Sequence, residues 1–186
     1  LVRMAQCRRN RPELGIVRAC LFDLDGTLIT PSIDFGHMHR AIEDLAMAFG
    51  ANAQGLAAMH VLEIIEGVGD TLSEQDADAG SRFARQARAL VLDIELEAAA
   101  RVQSYDGVPE LLQRLRGRGM VVGIVTRNGR RPVERILERI SLAHDVLLTR
   151  DDVAHVKPDP RHLLDALDQG GVPSRLALMV GDQPMD

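Results

Sequence analysis

Phe22-Asp23-Leu24-Asp25-Gly26-Thr27 follows directly on the apolar run Ile16–Leu21, which is broken only by Arg18. The run reads as a buried β-strand. Two carboxylates then stand two residues apart at its carboxyl end before Gly26 releases the chain. Charges placed there rarely serve packing, because burying them unpaired is costly. They call for a counter-charge or a metal ion, so the stretch points to a strand-end site that handles phosphate with help from a divalent cation.

Working outward, apolar strand-like runs recur at Met120–Val125, Asp145–Leu148 and Leu176–Val180. Helix-like segments at Pro109–Arg118, Arg131–Ile140 and Pro160–Gln169 separate them. Such alternation predicts an α/β fold, a parallel Rossmann-like sheet with helices on both faces. In such sheets ligands bind beyond the carboxyl ends of the strands. The other strand ends are polar in the same way: Thr126-Arg127-Asn128, then Val156-Lys157-Pro158-Asp159-Pro160, then Gly181-Asp182-Gln183-Pro184-Met185-Asp186.

The alternation is interrupted once, over residues 31–103, where no strand signal occurs. Met38, Ile42, Leu45 and Phe49 recur at helical spacing, as do Phe83, Ala87, Leu90, Val91, Ile94 and Ala98. Leu56, Met59, Leu62 and Ile65 predict a further, shorter helix. The expected organisation is an N-terminal extension over 1–14, a discontinuous core over 15–30 and 104–186, and a helical cap inserted over 31–103. Inserts at a strand's carboxyl end tend to lie over the site. The chain starts at Leu1 and stops at Asp186 just after a strand end, which suggests that the C-terminal part of the core is missing.

Composition narrows the function classes. The 186 residues are 46% hydrophobic and 26% charged, ordinary for a globular chain, and the net charge of -5 offers no general attraction to nucleic acid or acidic membranes. With no Trp and only Tyr105, a base-stacking surface is not expected. No apolar run approaches the roughly 20 residues that span a bilayer. Cys7 and Cys20 form no readable disulfide framework or thiolate site, which fits the reducing cytoplasm. Arg3, Arg8, Arg9 and Arg11 crowd the first residues without an apolar region, so a disordered extension is expected there rather than a targeting peptide.

Four motifs in order, each at an expected strand end, resemble the haloacid dehalogenase-like hydrolase superfamily, in its helical-cap phosphatase form. They are DxDGT at 23–27, Thr126, Lys157, and GDxxxD at 181–186. The resemblance implies that Asp23 attacks phosphorus and forms an aspartyl-phosphate, with Asp25 as acid and then base. Thr126, Asn128 and Gly26 would hold the transferring phosphoryl group, and Lys157 would face its oxygens. Asp23, Asp182, Asp186 and the Asp25 carbonyl would hold Mg2+, which prefers oxygen ligands. Four ionised carboxylates against one ammonium leave a charge of about -3, which a phosphate dianion could not enter without a cation. Lys157 is the only lysine among 22 Lys and Arg residues.

Within the family, Asp25 argues against dehalogenation, which needs no acid for an alkoxide. A cap without lysine argues against phosphonate hydrolysis through a Schiff base. Asp106-Gly107-Val108-Pro109-Glu110-Leu111-Leu112 resembles the stretch before motif two in phosphoglycolate phosphatase-like members, whereas Thr30-Pro31-Ser32 departs from the Asp-Ser expected of them. The expected activity is hydrolysis of a small phosphate ester. The alternatives are a sugar phosphomutase or a truncated, inactive phosphate-binding relative. A signalling receiver would be shorter and uncapped. Arg82, Arg85 and Arg88 form one helical row, read as a solvated face, and His37 and His39 as an exposed helix start.

Overall fold

Ala19–Phe22 forms the first strand, β1, in a computed structural model that describes residues 17–52, 56, 59–184 and 186. The helices α1 (Phe35–Ala48), α2 (Val61–Gln75), α3 (Ala77–Ala99) and α4 (Val108–Gly117) follow. Then come β2 (Val121–Val125), α5 (Arg130–Arg139), β3 (Val146–Leu148), α6 (Arg161–Gly170) and β4 (Ala177–Val180). The expectations for residues 1–14, including Cys7, lie outside the described residues. No described helix is long and apolar enough to cross a membrane.

The four strands form one sheet in the order β3-β2-β1-β4, and every pairing is parallel. Leu21 sits between Gly123 and Met179, which fixes the register of the centre. All four residues of β1 are buried. That is why it reads as a continuous apolar run rather than an alternating one. Ala19, Leu21, Val125, Val146 and Leu148 share a core with Ala166 and Leu167 of α6, while Cys20, Phe22, Val122 and Ile124 on the other face are buried too. The sheet therefore takes the predicted α/β form, with boundaries within three residues of those expected.

The chain divides into two compact units. One comprises the residues up to Thr30, with Gln103–Arg130 and Ile140–Asp186, and contains the sheet. The other comprises Pro31–Val102 and Arg131–Arg139. In the first unit, the chain leaving at Thr30 and returning at Gln103 is tied at the crossing, where the Thr30 amide donates to the Gln103 carbonyl at 2.8 Å and Ile29 bridges Ser104.

In the second unit, Met38, Ile42, Ile64, Ile65, Leu72, Phe83 and Val91 form a separate core, and Phe49 meets Phe83 edge to face. The helix expected around Leu56–Ile65 instead begins at Val61 and continues to Gln75. Gly67 and Gly69 hide its second half from a sequence reading, since each costs about 1 kcal/mol in a helix interior. A Cβ on Gly67 or Gly69 would meet only ordinary contacts, at 3.9 and 3.8 Å, so the glycine that the packing needs is Gly80. A Cβ on Gly80 of α3 would meet the Gly69 carbonyl at 2.6 Å and the Ser73 amide nitrogen at 2.8 Å, so α2 and α3 approach backbone to backbone.

Gly80→Ala is expected to destabilise the protein by about 1–3 kcal/mol through this overpacking. Gly117→Ala, at a helical position with nothing within 4 Å, should cost nothing. Urea unfolding of the two variants checks the contrast.

Candidate active site

The loop after β1 is built around one carbonyl. Leu24 O accepts the amides of Thr27, Leu28 and Ile29, while Leu24, Leu28 and Ile29 are fully buried. These apolar anchors pin the loop and leave Asp23, Asp25 and Thr27 to face the sheet's carboxyl edge. Asp23 extends the ladder by one residue, its amide donating to the Val180 carbonyl at 2.9 Å. Thr126 does the same on the other side, donating to Leu148 O at 2.9 Å. β1 lies between β2 and β4, so the chain passes to opposite sides of it, and the topological switch point falls where Asp23 stands.

Lys157 is 2% exposed, and its Nζ donates to Asp23 Oδ1 and to Asp186 Oδ1, each at 2.6 Å. Burial pushes the Asp23 carboxyl above the usual aspartate range; Lys157 pulls against that shift and Asp186 reinforces it. Asp182 accepts from Thr27 Oγ1 at 3.3 Å and from Gln183 Nε2 at 2.8 Å. Carboxylate oxygens of Asp23, Asp182 and Asp186 lie within 4.8 Å of one another, a group that could hold a metal ion. Three carboxylate oxygens suit a hard divalent cation, and one shared ammonium leaves them short of positive charge.

The Asp25 side chain turns elsewhere, accepting from Asn128 Nδ2 at 3.3 Å. Its expected metal contribution was the carbonyl, so the two readings are compatible. Thr126 and Asn128 are both buried, and Thr126 Oγ1 accepts the Asn128 amide at 3.1 Å. Gly26 sits at φ 82 and donates its amide to Ile29 O at 2.9 Å, so that amide is already engaged within the loop. What the geometry shows for Gly26 is clearance: a Cβ there would stand 2.6 Å from Asp182 Oδ2. Arg82, Arg85 and Arg88 are exposed, and Arg82 pairs with Asp78. His37 donates its amide to Asp34 at the start of α1, and His39 bonds the Met59 carbonyl at 3.1 Å.

Three residues that the sequence reading missed hold this centre together. Asp152 accepts from the Thr149 amide at 2.7 Å, from Thr149 Oγ1 at 2.6 Å and from Arg130 Nε at 3.2 Å. Burial raises its pKa, but these bonds outweigh that and hold the carboxyl below the usual range. Arg150 donates its amide to Asn128 O and its guanidinium to Arg127 O, at 3.2 and 3.1 Å. Together they fasten the loop after β2 to the loop after β3. The third is His162, fully buried, whose Nδ1 accepts the Lys157 amide at 3.1 Å. No spacing signal marks these residues, because each is a single polar side chain whose partners recur at no helical or strand period.

Acidic side chains and a buried ammonium at the switch point of a parallel sheet define an α/β enzyme with its polar centre at the carboxyl edge. The haloacid dehalogenase-like hydrolase model matches residues 17–186. An N-acetylmuramic acid 6-phosphate phosphatase of Pseudomonas aeruginosa is 31% identical over 91% of this chain and 75% of that protein. A phosphoglycolate phosphatase of Rhodospirillum rubrum is 34% identical over 91% of this chain and 73% of that protein. A solved HAD phosphatase from Thermococcus onnurineus superposes with a TM-score of 0.56 at 25% identity, covering 91% of this chain and 79% of that one. The chain belongs to the haloacid dehalogenase-like hydrolase family, as an enzyme of the phosphatase type.

Burial, and next the Lys157 charge, push the His162 imidazole down from 6.5 to about 4. Between those values the unfolded chain takes up a proton that the folded protein does not, so stability falls as pH falls through the window. His162→Asn should flatten that limb by roughly 2–3 kcal/mol. Unfolding free energies of the two proteins between pH 7 and pH 4 test this.

Proposed function

We propose that the protein is a Mg2+-dependent phosphomonoesterase that acts on a small phosphorylated metabolite through an aspartyl-phosphate on Asp23. The observation that carries the reading is the Lys157 ammonium shared by Asp23 and Asp186, with Asp182 in the same carboxylate group. The reading of the substrate as a small phosphate ester draws support from the two phosphatase relatives, whose names specify a sugar-acid phosphate and phosphoglycolate.

In this reading the Asp23 carboxylate attacks phosphorus as the ester P–O bond breaks, and the leaving oxygen takes a proton from the Asp25 carboxyl. The Asp25 carboxylate then takes a proton from the water that attacks the phosphoenzyme, which frees phosphate and restores Asp23. Asn128 Nδ2 holds one Asp25 oxygen, which orients the carboxyl for both transfers. Thr126 uses its oxygen to accept the Asn128 amide and retains its own hydroxyl proton for a phosphoryl oxygen. Lys157 fixes the Asp23 carboxylate in place and offers positive charge where the transition state gathers negative charge. Mg2+ held by Asp23, Asp182, Asp186 and the Asp25 carbonyl would neutralise phosphoryl oxygens as a Lewis acid.

The protein should hydrolyse p-nitrophenyl phosphate when Mg2+ is present and lose that activity in EDTA. Turnover that survives EDTA overturns the metal assignment. Asp23→Asn should lower kcat by about 1000-fold or more. A variant that keeps wild-type turnover removes Asp23 as nucleophile.

A further inference from the structure

His162 is a fully buried histidine with no part in the chemistry above, and it touches that chemistry at one point. Its Nδ1 accepts the backbone amide of Lys157, five residues earlier, while its own amide donates to Asp159 O at 3.2 Å. Between them Pro158 and Pro160 have no amide proton to donate, and the Asp159 carboxylate and the Pro160 carbonyl bond forward, to Arg161 and to Leu163 and Leu164, rather than back to Lys157. Asp159 donates to Val156 O at 3.0 Å. A ring nitrogen that accepts an N–H is unprotonated, so the imidazole is neutral with its proton on Nε2. Among the described residues Nε2 meets no partner in good hydrogen-bond geometry; the Leu148 carbonyl is the acceptor nearest to serving, and its weak bond to the ring draws the pKa upward. That carbonyl already accepts the Thr126 amide.

A buried imidazole whose N–H reaches a carbonyl only outside good geometry is a cost that a leucine would avoid. Packing therefore does not explain it, whereas the single bond it accepts lies on the backbone of the residue whose ammonium orders Asp23 and Asp186. We infer that His162 is a positioning residue, whose Nδ1 fixes the Lys157 backbone and so sets where the ammonium stands between the two carboxylates. The catalytic half of this inference rests on the proposed role of Lys157, while the structural half does not.

The unique lysine separates the two. Labelling with 15N-lysine yields one backbone amide signal, that of Lys157. In the wild-type protein this amide should be protected from hydrogen exchange. In His162→Asn, where Oδ1 stands near the place of Nδ1, protection and kcat should stay within about twofold of wild type. In His162→Leu protection should fall by about tenfold or more, and kcat by about tenfold with KM little changed. If the leucine variant does not fold, His162→Gln, whose oxygen reaches the Nε2 position, takes its place with the same expectation. An unprotected wild-type amide, or equal losses in the Asn and Leu variants, overturns the inference. Protection that follows the acceptor while wild-type protein shows no phosphatase activity leaves the positioning intact and refutes the proposed function instead.

Discussion

The Lys157 ammonium, closed off from solvent between Asp23 and Asp186, is the interaction on which the site's architecture depends. A single cation neutralises neither carboxylate fully, yet each loses much of its partner if the cation goes. Breaking such a buried pair costs on the order of 3–5 kcal/mol, because an uncompensated charge is left behind. The partners lie 134 and 29 residues from Lys157 in the chain. The triad therefore assembles only when the end of β1, the loop after β3 and the segment after β4 have all reached their places. A planar guanidinium would reach two carboxylates differently from a compact ammonium, which gives the solitary lysine of an arginine-rich chain a physical reason.

The sheet makes this assembly exact in register. β1 is hydrogen-bonded on both sides and apolar throughout, so it cannot slip without exposing its faces or leaving ladder groups unpaired. Asp23 and Thr126 each continue a ladder one residue past the strand, so their backbones are as fixed as the core. Beyond them the chain needs other restraints. Leu24 and its buried neighbours supply them after β1. Asp152, Arg130 and Arg150 supply them after β2 and β3, and His162 holds the backbone of Lys157.

This division explains what the sequence revealed. Lys157, nine residues after Leu148, stood out only as a member of the ordered set of motifs, whereas the positions of Asp23, Thr126 and Asp182 stood out because each lies within two residues of the end of an apolar run. The parallel sheet was legible for the same reason, since strands buried on both faces announce themselves as unbroken apolar runs. Asp152 and His162 were not, because a single carboxylate or imidazole that bonds a loop backbone has no periodicity, whether its partner is 22 residues away, as Arg130 is from Asp152, or five, as Lys157 is from His162. The extent of α2 was obscured by Gly67 and Gly69, whose weak helix propensity is overridden by the burial of Ile64, Ile65, Val68 and Leu72 in the core of the second unit. Gly26 was recognised as part of a motif, but its contribution became visible only in space, as room for the Asp182 carboxylate beside a left-handed backbone.

The carboxylates of the sheet-bearing unit sort themselves by how completely their charge is satisfied. Asp145 is held below its usual pKa by the Arg116 guanidinium and the Val122 amide, and Asp159 is held far below it by Arg161. Asp152 is likewise saturated with donors, so these three are finished as structural anions. Asp23 is the opposite case, since burial outweighs the lysine that faces it and a neighbouring carboxylate adds to the strain. Groups shifted by burial within a cleft of like charges mark functional sites more often than saturated ones do. An anion left short of positive charge, fixed by a ladder bond and facing the carboxyl edge, is suited to react with an electrophile that arrives with a cation. Asp23 and Asp152 thus differ in kind: one buried carboxylate shares a single ammonium with Asp186, while the other is held by the Thr149 amide and hydroxyl and the Arg130 guanidinium.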